Sequence, residues 1–218
     1  RGCRYRGRRG RPPVTDGPRV EDLGAFGVGV IHRGVGVGHG RKLPSGGMKL
    51  TEAMASAFDA QITLEFEASL VYRQLAIQMD TSDLPGMALW LRRQADEEIV
   101  HANKFIDHVV DRDGHPSIGA IRAPQVDKSA SPADVFAAAL GHEQRVSESI
   151  RELYRTGEAE GDLDSRPLLN WFLEEQIEEE STVSEILAQI RMVGDDGPGL
   201  LRLDADLGSR QSQGTEPA

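Results

Sequence analysis

The stretch Glu97-Glu98-Ile99-Val100-His101 lies in the middle of a long helical pattern and decides how the rest of the chain is interpreted. Glu98 and His101 are three residues apart, so a helix places both on one face. The remaining positions of that face are apolar: Met87, Leu91, Phe105 and Val109. A carboxylate and an imidazole in an apolar stripe cost free energy unless they are paired or bind a metal. The stretch therefore indicates either a buried ion pair or one half of a metal site.

Charge is unevenly distributed along the 218 residues. Residues 1–47 contain ten Lys or Arg against three Asp or Glu, whereas the rest contains 15 against 32, and the net charge is −10. The first segment is rich in Gly, Arg and Pro and has no helical period, so we expect a disordered extension. Two alternatives stay open for it: translated leader sequence ahead of Met48, or an Arg-rich arm that binds nucleic acid.

Cysteine usage and hydropathy bear on the compartment. Cys3 is the only cysteine, so no intramolecular disulfide can form, which fits a reducing compartment. No run approaches the roughly 18 unbroken apolar residues of a membrane helix. We therefore expect a cytoplasmic protein with no membrane partner.

From Thr51 onwards, apolar residues recur at helical spacing and predict four long helices. The predicted helices cover about residues 52–79, 85–111, 132–156 and 165–193, and a short amphipathic piece follows over 200–207. Each long helix measures about 40 Å. The connection after the second helix, of about 17 residues, can extend to about 55 Å and so return along the whole bundle.

Two short connections and one long crossover predict an all-α four-helix bundle in which helices two and three run parallel. A short fifth helix closes it at the C-terminus. The predicted domain spans residues 48–208, and residues 209–218 form a polar tail.

Ligand-type residues interrupt the apolar stripe of all four predicted helices. They are Glu65 on the first, Glu98 and His101 on the second, Glu143 on the third, and Gln176 and Glu179 on the fourth. Each main carboxylate lies at a depth of roughly 17–21 Å from its helix start, so the set converges at one level. Buried carboxylates at one level cannot all stay ionised without compensation, and a pair of cations provides it. Carboxylates with one imidazole suit iron or manganese better than zinc.

Four other residues near this level have separate interpretations. His142 faces about 100° away from Glu143 on a helix, so we expect it to be exposed. His108, one heptad after His101, is interpreted as a hydrogen-bonded core histidine. Tyr72 and Trp171 are interpreted as core packing, although a phenol beside a di-iron site can also supply a hydrogen bond or an electron.

The combined motif resembles the bacterial non-haem ferritins of the ferritin-like di-iron superfamily. The matching residues are Thr-Leu-Glu65-Phe with Tyr72, Leu91 to His101, Gly141-His-Glu143-Gln and Trp171 to Glu180. The resemblance covers about residues 50–207 and implies the ferritin-like bundle. It also implies a ferroxidase that oxidises Fe(II) with O2 at an intra-subunit di-iron centre and stores Fe(III) as mineral in a 24-subunit cage.

By position in the motif, the resemblance implies that Glu65, Glu98 and His101 hold the first iron. Glu98 would bridge to a second iron, which Glu143 and Glu179 hold with Gln176 beside it. A third iron site is implied at Glu97, Glu175 and Glu178, with Glu179 shared. An acidic, solvated helix face is the alternative for those three residues.

Two residues distinguish this chain from other branches of the superfamily. Ile99 stands where bacterioferritins carry a haem-ligating Met, so the resemblance implies no haem. Glu179 stands where they carry a second metal-binding His. Nucleic acid is expected as a partner only through residues 1–47.

Overall fold

The computed structural model describes residues 49–210, which fold into five α-helices with no strand among them. The helices are α1 (Glu52–Thr81), α2 (Pro85–Asp111), α3 (Pro132–Glu160), α4 (Arg166–Val193) and α5 (Gly197–Ser209). The predicted all-α four-helix bundle with a long crossover and a short fifth helix is confirmed. The predicted disordered segment 1–47 and the tail after residue 210 lie outside the described residues. Among the helices of the described segment, none has the length and hydropathy that a bilayer crossing requires.

Local chemistry fixes where the helices begin. The Thr51 hydroxyl accepts a hydrogen bond from the Met54 amide and caps α1. Ser131 and Asp134 form a reciprocal capping box at the start of α3, where Pro132 occupies the first turn. Asp196 caps α5 through the Gly199 amide.

The end of α3 differs from the prediction, because the helix continues past Thr156 to Glu160. Gly157 was predicted to begin the loop, but it is a buried helical residue against Met54 and Leu169. Gly161, with φ of 68°, ends the helix in the left-handed conformation that glycine adopts without strain.

Contacts between α1 and α3 establish the helix directions. Gly157 lies near Met54, the Ser149 hydroxyl donates to the Gln61 amide oxygen at 2.6 Å, and Tyr72 bonds to Glu143. Along these contacting pairs, the residue numbers on α3 decrease as those on α1 increase, so the two helices are antiparallel. A three-residue turn reverses the chain between α1 and α2. Helices α2 and α3 therefore run parallel, as predicted.

The crossover, residues 112–131, follows α1 from one end to the other. The Ser117 amide donates to the Asp59 carboxylate at 2.8 Å, and the Gly119 amide donates to the Thr63 hydroxyl at 2.8 Å. Near the other end of α1, the Gln78 amide nitrogen donates to the carbonyl oxygens of Lys128 and Ala130, each at 3.1 Å. These bonds fix the path of a segment that has no secondary structure of its own.

The apolar core consists of two clusters separated along the bundle axis. On α1, the buried members of one cluster lie within residues 54–62, and those of the other cluster lie within residues 72–79. On α4, the corresponding segments are 169–172 and 183–190. Every predicted metal ligand falls in the gap between the two clusters on its helix. The core therefore encloses the ligand layer from both ends.

Helix α5 docks on the start of α2 through a close backbone approach. The Asp204 carboxylate accepts a hydrogen bond from the Met87 amide at 2.7 Å, and Leu207 is fully buried. A β-carbon added at Gly86 would lie 1.9 Å from the Asp204 carbonyl oxygen. Only glycine allows this contact.

We predict that Gly86→Ala destabilises the protein by about 1–3 kcal/mol, because the backbone of α5 must move away from α2. Gly141→Ala is the matched control, because a β-carbon at residue 141 has no neighbouring atom within 4 Å. The substitution also replaces a glycine in a helix interior by alanine. We expect Gly141→Ala to raise the free energy of unfolding by about 0.5–1 kcal/mol. Thermal unfolding of the two variants measures both effects. Equal midpoints would contradict the described docking of α5.

Candidate metal centre

The predicted ligand residues converge in one buried layer. Their exposed fractions are 0% for Glu65 and Glu143, 1% for His101 and Tyr72, 3% for Glu98 and Gln176, and 9% for Glu179. All four long helices contribute to the layer at mid-length. A set of charged side chains so far from solvent requires a specific arrangement of partners.

Glu65, Glu98 and His101 form the tightest group. Each offers one ligand atom, and these three atoms all lie within 4.8 Å of one another. The Nδ1 atom of His101 lies 3.4 Å from Oε2 of Glu98. Residues from α1 and α2 thus present two carboxylate oxygens and one imidazole nitrogen around one position.

Two of the carboxylates have one oxygen that accepts a hydrogen bond from the protein and a second oxygen that forms none. The Gln61 amide nitrogen donates to Oε1 of Glu65 at 2.7 Å. The Tyr72 hydroxyl donates to Oε1 of Glu143. Oε2 of Glu65 and Oε2 of Glu143 are buried and form no hydrogen bond with the protein. A carboxylate fixed in this way is oriented with one oxygen available to a cation.

The same pattern extends across the layer. In residues 49–210, seven buried side-chain nitrogen or oxygen atoms have no hydrogen-bond partner, and six belong to the layer. These six are Oε2 of Glu65, Glu98 and Glu143, both ring nitrogens of His101, and Nε2 of Gln176. Unpartnered buried polar atoms are rare in native proteins, and a bound ion is one of their explanations. The donor set fits iron or manganese, because oxygen ligands and one imidazole surround the position.

Burial has a strong electrostatic effect on these groups. It raises the pKa of Glu65, Glu98 and Glu179 well above the usual range of a glutamate, and neighbouring carboxylates raise it further. It also raises the pKa of Glu143 to about 7, although the hydrogen bond from Tyr72 opposes part of that shift. In the metal-free protein the layer therefore retains protons near neutral pH. A cation that binds there displaces them.

The residues predicted for a third iron lie beside the layer and are more exposed. Glu97 and Glu175 are half-buried and form a second group with His101, again with ligand atoms within 4.8 Å of one another. Glu178 is exposed, and it lies outside that group although all three carboxylates line one cavity of about 460 Å³. The Gln94 amide nitrogen lies 3.0 Å from Oε2 of Glu97 and 3.4 Å from Oε2 of Glu179. It connects the cavity to the buried layer.

The prediction that His142 is exposed is wrong, because its ring is completely buried. Helix α3 contacts both α1 and α4, so its buried surface is wide enough to include adjacent positions. His142 shares a helical stripe with Ala139 and Val146, which are also buried. Burial and the Arg145 guanidinium lower the pKa of His142 to about 4.

The other two neighbours make contacts of the predicted kind but lie at the edge of the core, since both are half-buried. His108 is half-buried, and its Nε2 lies 2.9 Å from the Ser165 hydroxyl. Trp171 is half-buried against the His101 ring, with ring centroids 5.7 Å apart. The Lys104 ammonium lies 4.4 Å from the centre of the Trp171 ring, within the range of a cation–π contact.

A family model described as a ferritin-like domain matches residues 55–193, which include every candidate ligand of the layer. The chain belongs to the ferritin family. It is similar to the bacterial non-heme ferritin of Escherichia coli O6:H1, at 29% identity over 75% of this chain and 99% of the relative. It is also similar to that of Staphylococcus aureus USA300, at 31% identity over 74% of this chain and 96% of the relative.

Solved structures agree with this assignment. An open pore ferritin from the hyperthermophilic archaeon Archaeoglobus fulgidus is 33% identical and superposes with a TM-score of 0.72, over 75% of this ferritin and 100% of that chain. An engineered closed form of the Archaeoglobus fulgidus ferritin gives a TM-score of 0.73 at the same identity, over 75% of this ferritin and 99% of that chain. The resemblance that the motif predicted is therefore confirmed.

Sequence reasoning missed the residues that orient the ligands of this ferritin. Gln61 lies four residues before Glu65, and Ser147 lies four residues after Glu143. This spacing places each residue on the helix face of a candidate ligand, which could have identified it. Gln61 bonds to Glu65 itself, whereas Ser147 bonds to Gln176 on α4. Serine and glutamine are common in helices, so neither residue type indicates a site by itself.

We predict that Glu143→Gln raises the unfolding temperature of the metal-free protein at pH 8 and has little effect at pH 5. The pKa of Glu143 is higher in the folded protein, at about 7, than the ordinary value of 4.5. The Glu143 carboxyl group therefore binds its proton more tightly in the folded state than in the unfolded state. The stability that this proton contributes is lost as the pH rises from about 4.5 through about 7. Glutamine resembles the protonated acid and removes that loss, at about 1.4 kcal/mol per pKa unit.

Calorimetry at the two pH values measures the difference. Glu174→Gln, which removes an exposed carboxylate from α4, is the control and should shift the midpoint equally at both. A pH-independent effect of Glu143→Gln would show that its carboxyl group is not held in the protonated form.

Proposed function

We propose that this ferritin is an iron-storing ferroxidase. The observation that supports it best is the layer of buried polar atoms left without protein partners, with Glu65, Glu98 and His101 grouped around one position. Fe(II) is the substrate. Two Fe(II) ions each lose one electron, dioxygen accepts both electrons, and the Fe(III) produced is stored as mineral.

In the proposed centre, Glu65, Glu98 and His101 hold the first iron. Glu98 bridges to the second iron, which Glu143 and Glu179 hold, with Gln176 beside it. Family membership supports this assignment, as does the position of all six residues in one layer. Two ions bring the positive charge that lets the buried carboxylates ionise together.

The protein groups around the centre have defined tasks in this proposal. Gln61 and Tyr72 each fix one oxygen of a ligand carboxylate, so the free oxygen points at the metal position without reorganisation. Tyr72 also lies where its phenol can donate an electron. The apolar clusters on both sides of the layer exclude bulk water.

A third iron is proposed at the entrance to the centre, held by Glu97, Glu175 and Glu178 with Glu179 shared. The common cavity of these residues supports it. Glu97 and Glu175 are also grouped with the buried His101. Glu178 would complete the site from its exposed position. Glu179, which lines the cavity and also belongs to the buried layer, would connect the third site to the buried pair.

The assembly that we propose is a homo-oligomeric cage of 24 subunits in the cytoplasm. The similarity to bacterial non-heme ferritins and to an open pore ferritin supports an assembly of identical chains. Ile99, directly after the proposed bridging Glu98, has no group that can ligate haem iron, so the proposal includes no haem.

We predict that Glu98→Ala and His101→Ala each lower the initial rate of aerobic Fe(II) oxidation by more than about 100-fold, because each removes a direct ligand. The rate is followed by the absorbance of the ferric product. Glu158→Ala and His115→Ala are the matched controls, since both side chains are exposed and distant in sequence from the layer. Wild-type rates in the two ligand variants would exclude the proposed centre.

A further inference from the structure

The hydroxyl group of Ser147 lies between a site residue and a surface carboxylate. Its oxygen is 3.0 Å from Oε1 of Gln176 and 2.5 Å from Oε1 of Glu180. Ser147 is buried, whereas Glu180 is half-buried and its Oε1 lies 3.7 Å from the Arg151 guanidinium. A chain of polar groups thus connects the surface of α3 and α4 to the metal layer.

A serine hydroxyl carries only one hydrogen, so it can donate to only one of these two oxygens. The 2.5 Å distance from the Ser147 oxygen to Glu180 is typical of a hydroxyl that donates a hydrogen bond to a charged carboxylate. The 3.0 Å distance to Gln176 is typical of a hydrogen bond between an N–H group and an oxygen. The Ser147 hydrogen therefore points to Glu180. The lone pairs of the Ser147 oxygen remain available to Gln176, so the Gln176 amide must donate the hydrogen bond between them.

The Gln176 amide satisfies this requirement when it is turned by half a turn, which exchanges its oxygen and nitrogen without changing its shape. The NH2 group then donates to Ser147. This turn also removes the buried, unpartnered Nε2 of Gln176, because the amide oxygen takes its place. An amide oxygen can bind a cation, whereas an amide NH2 group cannot.

We propose that Ser147 and Glu180 are positioning residues that orient the Gln176 amide with its oxygen towards the second metal position. This inference rests on the proposed function and adds the cause of the amide orientation. Gln176 would then supply a neutral oxygen ligand to that metal. The effect of Ser147 passes entirely through Gln176, since the serine itself does not reach the metal.

A second serine on α3 produces the opposite orientation in another glutamine. The Ser149 hydroxyl donates to the Gln61 oxygen at 2.6 Å, and the Gln61 nitrogen donates to Glu65 at 2.7 Å. That amide therefore turns its nitrogen, not its oxygen, towards the site. The difference arises because Glu180 takes the hydrogen of Ser147. Ser149 thus provides a matched comparison, two residues away on the same helix.

The test uses Zn(II), a redox-inert probe, with crystals and solutions of the full-length metal-free protein. Anomalous diffraction locates zinc at the two positions, and calorimetric titration measures the affinities. In Ser147→Ala we expect zinc at the second position to bind about 10- to 100-fold more weakly, with the first position unchanged. Ser147→Thr keeps the hydroxyl and should restore binding. Ser149→Ala should weaken the first position instead.

Glu180→Ala separates orientation from packing. The Ser147 hydrogen then has only Gln176 as acceptor, which turns the NH2 group towards the metal and weakens the second position although the serine is intact. Glu174→Ala, an exposed change on the same helix, controls for the lost charge. Wild-type zinc binding at the second position in Ser147→Ala or in Glu180→Ala would overturn the inference. Absence of zinc from both positions of the wild-type protein would overturn the proposed function as well.

Discussion

Four glutamates are held at one level of an aliphatic bundle, where water does not solvate their charges. They are Glu65, Glu98, Glu143 and Glu179, one from each long helix. In the absence of a cation, burial and mutual repulsion favour the protonated forms. The arrangement is costly as a purely structural feature, because apolar residues of similar size would pack there at no such cost. Its properties are those of a site prepared for positive charge.

The architecture keeps this layer in place by fixing both ends of the bundle. The crossover is bonded along α1 from Asp59 to Gln78, so α3 enters at the right end and runs parallel to α2. At the opposite end of α2 from α5, the Arg112 guanidinium bonds to Asp162 at 2.6 Å and to Ser165 at 2.7 Å. Helix α5 holds the start of α2 through Asp204. Each contact limits sliding of one helix against another, which would misalign the ligands.

The ligand layer could be predicted from the sequence because charged residues in an apolar stripe are conspicuous. Glu98 and His101 interrupt a helical face, and the crossover is long enough to let α2 and α3 run parallel. The orientation of His142 could not be predicted from its angle to Glu143 alone, since the width of the buried surface on α3 depends on how many helices it contacts. The continuation of α3 through Gly157 depends likewise on tertiary packing against Met54.

The hydrogen-bond network around the ligands was also beyond sequence reasoning. Ser147 and Ser149 are alike in type and nearly adjacent, yet Ser147 contacts the Glu180 carboxylate as well as a glutamine, whereas Ser149 donates to Gln61. That difference depends on where Glu180 lies in space. Single-residue patterns indicate candidate metal ligands, whereas the groups that hydrogen-bond to them require the three-dimensional structure.

We infer that the buried carboxylates bind a pair of cations. Anaerobic titration of the metal-free protein with Fe(II), by calorimetry in two buffers of different ionisation enthalpy, tests it most directly. Binding of at least two Fe(II) per subunit, with release of protons from the raised-pKa carboxyl groups, is the predicted result. Absence of saturable binding, or binding without proton release, would contradict it.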